Sequence, residues 1–430
     1  AGPVLRSAAN AFDALNIGIL GGSFIAVLIL FIVPITLLGT ISPFAIRLSV
    51  DDTSRAGQIS GQIYAISTLG SFIGTFLPTL VFIPAIGTTR TFLLFSLLLL
   101  FVALAGLGKF AGRKELVKYL WMPLVIAAIA VLASGQSLKN NEGQVYETES
   151  AYNYIQVKQQ GDFTLLRLNE GQGVHSIYSP NTLQYDGPWD QVLAGPYFYA
   201  DKNPSDIKRV AIVGLAAGTA AHQLTAVYGD IPIDGYELDP EIVRVGREYF
   251  DMTMPNLNTI IGDGRLNLER SEHKYDIISV DAYRPPYIPP HMTTQEFFRI
   301  VASRLTENGV LTINSASVPG DNRLINGLAT TMATVFPSIY MADIPGSLNT
   351  IIFATKQPTQ PENFAANLMK LSSDSSVHPL LIHTMQVTFP GLRTDYETTT
   401  VFTDDHAPIE WIVNDMVLRF IIGGGTEYLQ

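Results

Sequence analysis

Four stretches in the first 138 residues carry no charge, and a chain built this way has few means of folding in water. No Asp, Glu, Lys or Arg stands between Asp13 and Arg47 or between Arg55 and Arg90, and the segments 91–108 (TFLLFSLLLLFVALAGLG) and 119–138 are uncharged as well. A bilayer core about 30 Å thick is crossed by about 20 apolar residues in a helix. The pattern predicts four transmembrane helices, at roughly 17–40, 62–86, 91–108 and 119–138. The first run is too long for a signal peptide, and no cleavage pattern follows it. Pro34, Pro78 and Pro84 predict kinks, which neighbouring groups can satisfy within a membrane. Gly70 and Gly74, with Ser67 and Ser71, set small residues along one side of the second helix. Another helix could approach that side closely, from a second copy or from a partner in a membrane complex. No ionisable residue lies inside a span, so an ion or proton pathway is not expected. Ala1 in place of Met reads as a processed or truncated start, with room for helices upstream.

Beyond residue 138 the composition changes. Charged residues make up only 15% of the whole chain, against about 25% for a soluble protein, and most of them fall in this second part. The net charge of −11 and the lack of a basic stretch exclude nucleic acid as a partner. The absence of cysteine excludes disulfides, thiolate metal sites and a cysteine nucleophile. From Gln144 to about residue 186, YNYIQVKQ, FTLLRLNEG and GVHSIYS alternate apolar and polar residues between Gly161-Asp162 and Gly171. That pattern predicts a small antiparallel sheet. From Ile207, RVAIVG, IDGYELD, LNTIIGD, YDIISVDAY and GVLTINS predict strands, with helices between them, notably over 240–250 and 293–305. ATVFPSIYMADIP and NTIIFATK would close the sheet. The expected organisation is a membrane region (1–140), a small antiparallel β domain (141–200), a Rossmann-like, doubly wound α/β domain of the S-adenosylmethionine methyltransferase type (201–420) and a flexible tail (421–430).

In such a sheet the ligand site lies at the carboxyl ends of the strands. AIVGLAAGT sets Gly214 and Gly218 in the first strand-to-helix turn, where helix N–H groups are free. Glu237 ends the second strand about 20 residues later, where a carboxylate can take both ribose hydroxyls. Leu215, Ala216 and Ala217 crowd the turn and leave no pyrophosphate loop, so an adenosine fits better than NAD. Asp263 after the third strand could accept from an adenine amino group, and Asp281 after the fourth points into the same crevice. Three acids at consecutive strand ends suit a ligand with a positive charge, a sulfonium or an amine.

These residues resemble the spermidine synthase family of aminopropyltransferases. SAYNYIQV, LLRLNEGQGVHS, AIVGLAAGT, GYELDPEIVRVGREYF, IGDGR, YDIISVDAY, PPHMTTQEFF and RLTENGVLTIN recur in family order over about 165 residues. The membrane stretch and TDDHAPIEW at 403–411 are similar to bacterial members fused to membrane helices. The resemblance implies aminopropyl transfer from decarboxylated S-adenosylmethionine to an amine, with release of methylthioadenosine. It places Gly214, Gly218, Glu237, Asp239, Asp263 and Gly264 at the donor, with Glu237 on ribose and Asp263 on adenine. Tyr152, Asn153, His175 and Tyr283 fall on the acceptor side, and Asp281 is the base. No metal or permanently bound cofactor is implied.

The sequence also departs from the family. The usual G-G-G-D-G is GLAAG, the second acid of D-S-x-D is Arg284, and Trp189-Asp190-Gln191 replaces a Tyr-His-Glu motif. Asn153 and His175 replace two glutamines. The adenosine half of the site is largely kept and the polyamine half largely replaced, which argues against putrescine as acceptor. Two other readings follow from the same features: a catalytically silent docking subunit of a membrane complex, and a methyltransferase using S-adenosylmethionine itself. Asp404, Asp405 and His406 are too close in sequence to share a metal ion and read as a crevice-closing loop. His291 reads as a neighbour of a helix cap.

With four spans, the loops 41–61 and 109–118 carry six Lys or Arg, and the opposite side carries three (Arg6, Arg90 and Lys139). The positive-inside rule then puts the soluble domain outside the cytoplasm of a bacterial plasma membrane. A cytosolic adenosyl donor requires the opposite side.

Overall fold

The computed structural model describes residues 19–50, 52–133, 142–169, 173–283 and 288–422. The chain forms two units, Ala1–Ser96 and Leu97–Gln430. Three helical stretches among the described residues are long and apolar enough to cross a membrane: Val27–Ser49, Thr53–Ile86 and Thr88–Phe110. Val33, Leu37, Phe72, Leu80 and Phe101 on them are 62–70% exposed, far more apolar surface than water tolerates on a lone helix. Helix Ile19–Gly39 carries Pro34 inside it and gives way at Thr40 to helix Ile41–Ser49. Helix Ala56–Leu77 opens at Pro78 into a wider turn over Pro78–Phe82 before Ile83–Ile86. Proline has no N–H to complete the regular ladder there. The fourth expected span appears as helix Met122–Ala133, 12 residues long; residues 134–138 lie outside the described residues, as do 17–18 of the first and the tail from 423.

In the second unit a four-stranded antiparallel sheet comes first: β1 (Gln144–Glu149), β2 (Tyr154–Gln160), β3 (Phe163–Leu168) and β4 (Ser176–Tyr178). Three of these strands match the expected ones; Gly171 lies outside the described residues. β1 escapes the alternation rule because its partners are polar. Glu147 accepts from the Tyr154 hydroxyl at 2.5 Å and from Gln144 Nε2 at 3.0 Å. The apolar face of this sheet, with Ile155, Val157, Leu166 and Leu168, packs on Ile242, Val245 and Phe250 around helix Pro240–Tyr249.

The large sheet holds β5 (Val210–Val213), β6 (Ile233–Glu237), β7 (Leu257–Ile261), β8 (Tyr275–Val280), β9 (Leu305–Ala316), β10 (Ser338–Asp343), β11 (Asn349–Thr355) and β12 (Leu392–Arg393). Their order is β12-β10-β11-β9-β8-β5-β6-β7. β5 to β9 run parallel, and β11 is antiparallel between β9 and β10. This is a Rossmann-like sheet of the methyltransferase type. β5 and β6 are buried at every residue, as strands covered on both faces must be. One face packs on helices Gly264–Arg270, Gln295–Arg304, Arg323–Ala333 and Ile409–Ile422. The other packs on helices Thr219–Tyr228, Pro361–Ser372 and Pro379–Thr388 and on the turn Val192–Phe198. The strand order reverses on either side of β5, which opens a crevice above its carboxyl end.

Candidate active site

A cavity of about 680 Å³ fills that crevice, within the range of small-molecule sites. The strand ends beneath it are bonded together. The Gly214 and Leu215 amides both donate to the Tyr236 carbonyl at 3.0 Å, and the Asp281 amide donates to the Val213 carbonyl at 2.8 Å. Gly214 has φ +90°, and a Cβ there would lie 2.5 Å from the Asp281 carbonyl oxygen. Leu215 does not plug the hollow: its side chain lies over Gly235, where a Cβ would sit 2.8 Å from its Cδ2. Ala216 holds φ +49° in the left-handed region, at the turn position where the family pattern has glycine.

Glu237 is 9% exposed at the end of β6. Its oxygens accept from the Ala216 amide at 2.9 Å and the Asp239 amide at 3.0 Å. Burial pushes its carboxyl above the ordinary range, and those two amides partly offset the shift. Asp263 caps helix Gly264–Arg270 through Oδ1, which accepts from the Leu266 amide at 2.8 Å. Its Oδ2 lies 3.0 Å from His291 Nε2. Asp281 follows β8 and accepts from Asn314 Nδ2 at 2.9 Å. Burial raises its pKa to about 6, with the Asn314 bond pulling the other way. A carboxylate tuned there can take a proton near neutral pH. Tyr283 accepts from the Ala316 amide, and burial together with nearby Asp281 raises its phenol pKa, which keeps it protonated.

The cavity wall includes Tyr152, Asn153, His175, Gly214, Glu237, Asp263, Gly264, Asp281 and Tyr283. Gly218 and Asp239 are not brought to it. Gly218 starts helix Thr219–Tyr228 with φ +91° against Met252. Asp239 is fully buried and takes part in the fold, accepting from the Glu241 amide, Ser150 Oγ and Asn153 Nδ2. Asn153 Oδ1 in turn accepts from Asn169 at 3.0 Å, so this amide joins the small sheet to the large one. Asp190 is similarly engaged, by Gln223 and by the Tyr185 and Asp186 amides, while Trp189 lines the cavity. Arg284 lies outside the described residues.

Three lining side chains present orphaned polar atoms. His175 Nε2, Thr312 Oγ1 and Asn314 Oδ1 are buried and have no hydrogen-bond partner among the described residues. All three belong to residues that line the cavity, and buried polar atoms of this kind call for a ligand or water to complete them. Burial lowers the His175 pKa to about 4, so its ring is neutral. Thr312 and Asn314 stand two apart on β9 and so share a face, a signal available only once the strand is placed beside β8. Four carboxylates line the cavity (Glu237, Asp263, Asp281 and Glu410), and no Lys or Arg does among the described residues. No group of three metal-ligating side chains occurs among the described residues. Asp404 accepts two bonds of 2.6 Å from Arg265 and one of 2.7 Å from Thr294, which fastens TDDHAPIEW to the cavity rim.

Residues 199–367 match the spermine/spermidine synthase domain. The chain is 33% identical over 298 residues to a probable polyamine aminopropyl transferase of Bifidobacterium longum, covering 66% of each chain. It thus spans about two thirds of the length of that relative. It is 27% identical over 299 residues to a polyamine aminopropyltransferase of Vibrio vulnificus, covering 66% of this chain and 96% of that one. Among solved structures, a probable spermidine synthase of Corynebacterium glutamicum is similar at 19% identity and a TM-score of 0.46, over 61% of this chain and 98% of that one. The domain match, the relatives and the order of the motifs agree, and the chain belongs to the spermine/spermidine synthase family.

Proposed function

We propose that this protein is a membrane-anchored aminopropyltransferase that uses decarboxylated S-adenosylmethionine and an amine acceptor. The observation that carries the reading is the convergence of Glu237, Asp263 and Asp281, from the ends of β6, β7 and β8, on one cavity with no described cation in its wall. Glu237 takes the ribose hydroxyls, and the lone pairs left on Asp263 take the adenine amino group. The acceptor nitrogen attacks the methylene carbon beside the sulfonium. A C–N bond forms, the C–S bond breaks, and methylthioadenosine leaves with the electron pair on sulfur. The proton shed by the acceptor goes to Asp281, because an ammonium has no lone pair with which to attack. Holding both reactants in one cavity supplies much of the remaining acceleration. The family match does not favour the silent docking subunit or the methyltransferase.

Calorimetry on the full chain in detergent tests the site. Decarboxylated S-adenosylmethionine and methylthioadenosine should bind, and S-adenosylmethionine more weakly by about tenfold or more, because its carboxylate would face like charges in the cavity. Binding of none of the three would leave only the docking reading.

Three long helices also support one side of the membrane. With spans at 27–49, 53–86 and 88–110, Arg47, Arg55, Lys109, Arg113, Lys114, Lys118 and Lys139 fall on the side of the soluble domain, and Arg6 and Arg90 on the other. The positive-inside rule then makes the domain cytoplasmic, which agrees with the donor. A fourth crossing over 119–138 would reverse that side.

A further inference from the structure

We propose that Glu410 is the acid that holds the far ammonium of a diamine or longer polyamine acceptor, in place of the second carboxylate missing after Asp281. The inference rests on reading the cavity as the aminopropyl-transfer site. Glu410 belongs to TDDHAPIEW, yet it lines the same cavity as Asp281. Its carboxylate has no hydrogen-bond or ion-pair partner among the described residues, whereas Asp404 in the same motif is fully engaged.

The segment that presents Glu410 is held firmly. Arg265 grips Asp404 through two bonds of 2.6 Å. Thr403 and His406 exchange backbone bonds of 3.0 Å, and the Gln295 amide donates to the Phe402 carbonyl at 2.8 Å. The Phe402 ring sits against Gly327, where an added Cβ would lie 2.2 Å from it. Ile409, next to Glu410, is fully buried. The backbone that carries Glu410 is therefore set at the cavity wall, and its exposed, hydrated head needs little desolvation to take a cation.

A second, independent observation points to the same ligand class. Asn314 is 9% exposed and Thr312 2%, and their Oδ1 and Oγ1 have no partner among the described residues. Orphaned oxygens in an acid-lined cavity fit a ligand rich in N–H donors. A diamine or longer polyamine with its attacking nitrogen at Asp281 and Asn314 would offer its far ammonium to Glu410 on the same cavity wall.

The test titrates 1,4-diaminobutane and 1-aminobutane into the full chain loaded with methylthioadenosine. The wild type should bind the diamine more tightly than the monoamine. Glu410→Gln should weaken diamine binding by about tenfold or more, with monoamine and methylthioadenosine binding unchanged. Diamine binding that survives Glu410→Gln, or a wild type that does not distinguish the two amines, would overturn the proposal. If methylthioadenosine itself fails to bind, the transferase reading fails, and the diamine titration on the unloaded chain still decides the role of Glu410.

Discussion

Asp281→Asn should lower aminopropyl transfer by about 10²- to 10⁴-fold, the usual worth of a positioned general base, and leave methylthioadenosine affinity within about twofold. Asn keeps the shape and can still accept from Asn314, but it cannot receive the acceptor's proton. The wild type should show an acid limb in kcat/KM near pH 6, where the buried Asp281 carboxyl titrates, and the variant should lack it. The same substitution bears on stability, with a definite sign. A carboxyl whose pKa is raised in the fold contributes its full share only below its unfolded pKa of about 4, and that share is lost as pH rises through about 6. At pH 7.5 the ionised Asp281 is therefore a cost, of order 1–2 kcal/mol once its partial solvent contact through the cavity is counted. Asp281→Asn should raise the Tm by a few degrees while turnover collapses. Turnover above about a tenth of wild type would remove Asp281 as the base.

Topology gives an all-or-none result. The chain has no cysteine, so single-cysteine variants label cleanly. In right-side-out vesicles a membrane-impermeant maleimide should label Thr89→Cys and leave Ala111→Cys and Ser373→Cys unlabelled until the vesicles are opened. Four crossings would instead make Ser373→Cys accessible from outside, and Ala111 and Ser373 would then lie on opposite sides. That outcome would part the domain from its cytosolic donor and undermine the transferase reading itself.

Much of this architecture is legible in the chain because local pattern and tertiary environment agree. The apolar runs of β5, β6, β8 and β9 are largely buried, and the acids that end β6, β7 and β8 are marked by the βα turns that follow them. Other features are hidden for physical reasons. β1 pairs through polar side chains, so hydrophobic alternation misses it. β12 is two residues long and exists only through its neighbour β10. Asp239 reads as a donor ligand by its place beside Glu237, but a carboxylate directly before Pro240 serves as a helix cap, and nearby Ser150 and Asn153 complete it. Thr312 and Asn314 look like ordinary strand residues until β9 is set beside β8. The link between Asp404 and Arg265 spans 139 residues, a separation no local pattern reports.

The most direct test of the central claim is product analysis. The purified full chain, incubated with decarboxylated S-adenosylmethionine and a panel of diamines and longer polyamines, should release methylthioadenosine in equal amount to the aminopropylated amine, both falling together in Asp281→Asn. If no methylthioadenosine forms although the donor binds, or if a methylated product and S-adenosylhomocysteine form from S-adenosylmethionine instead, the cavity does not perform aminopropyl transfer.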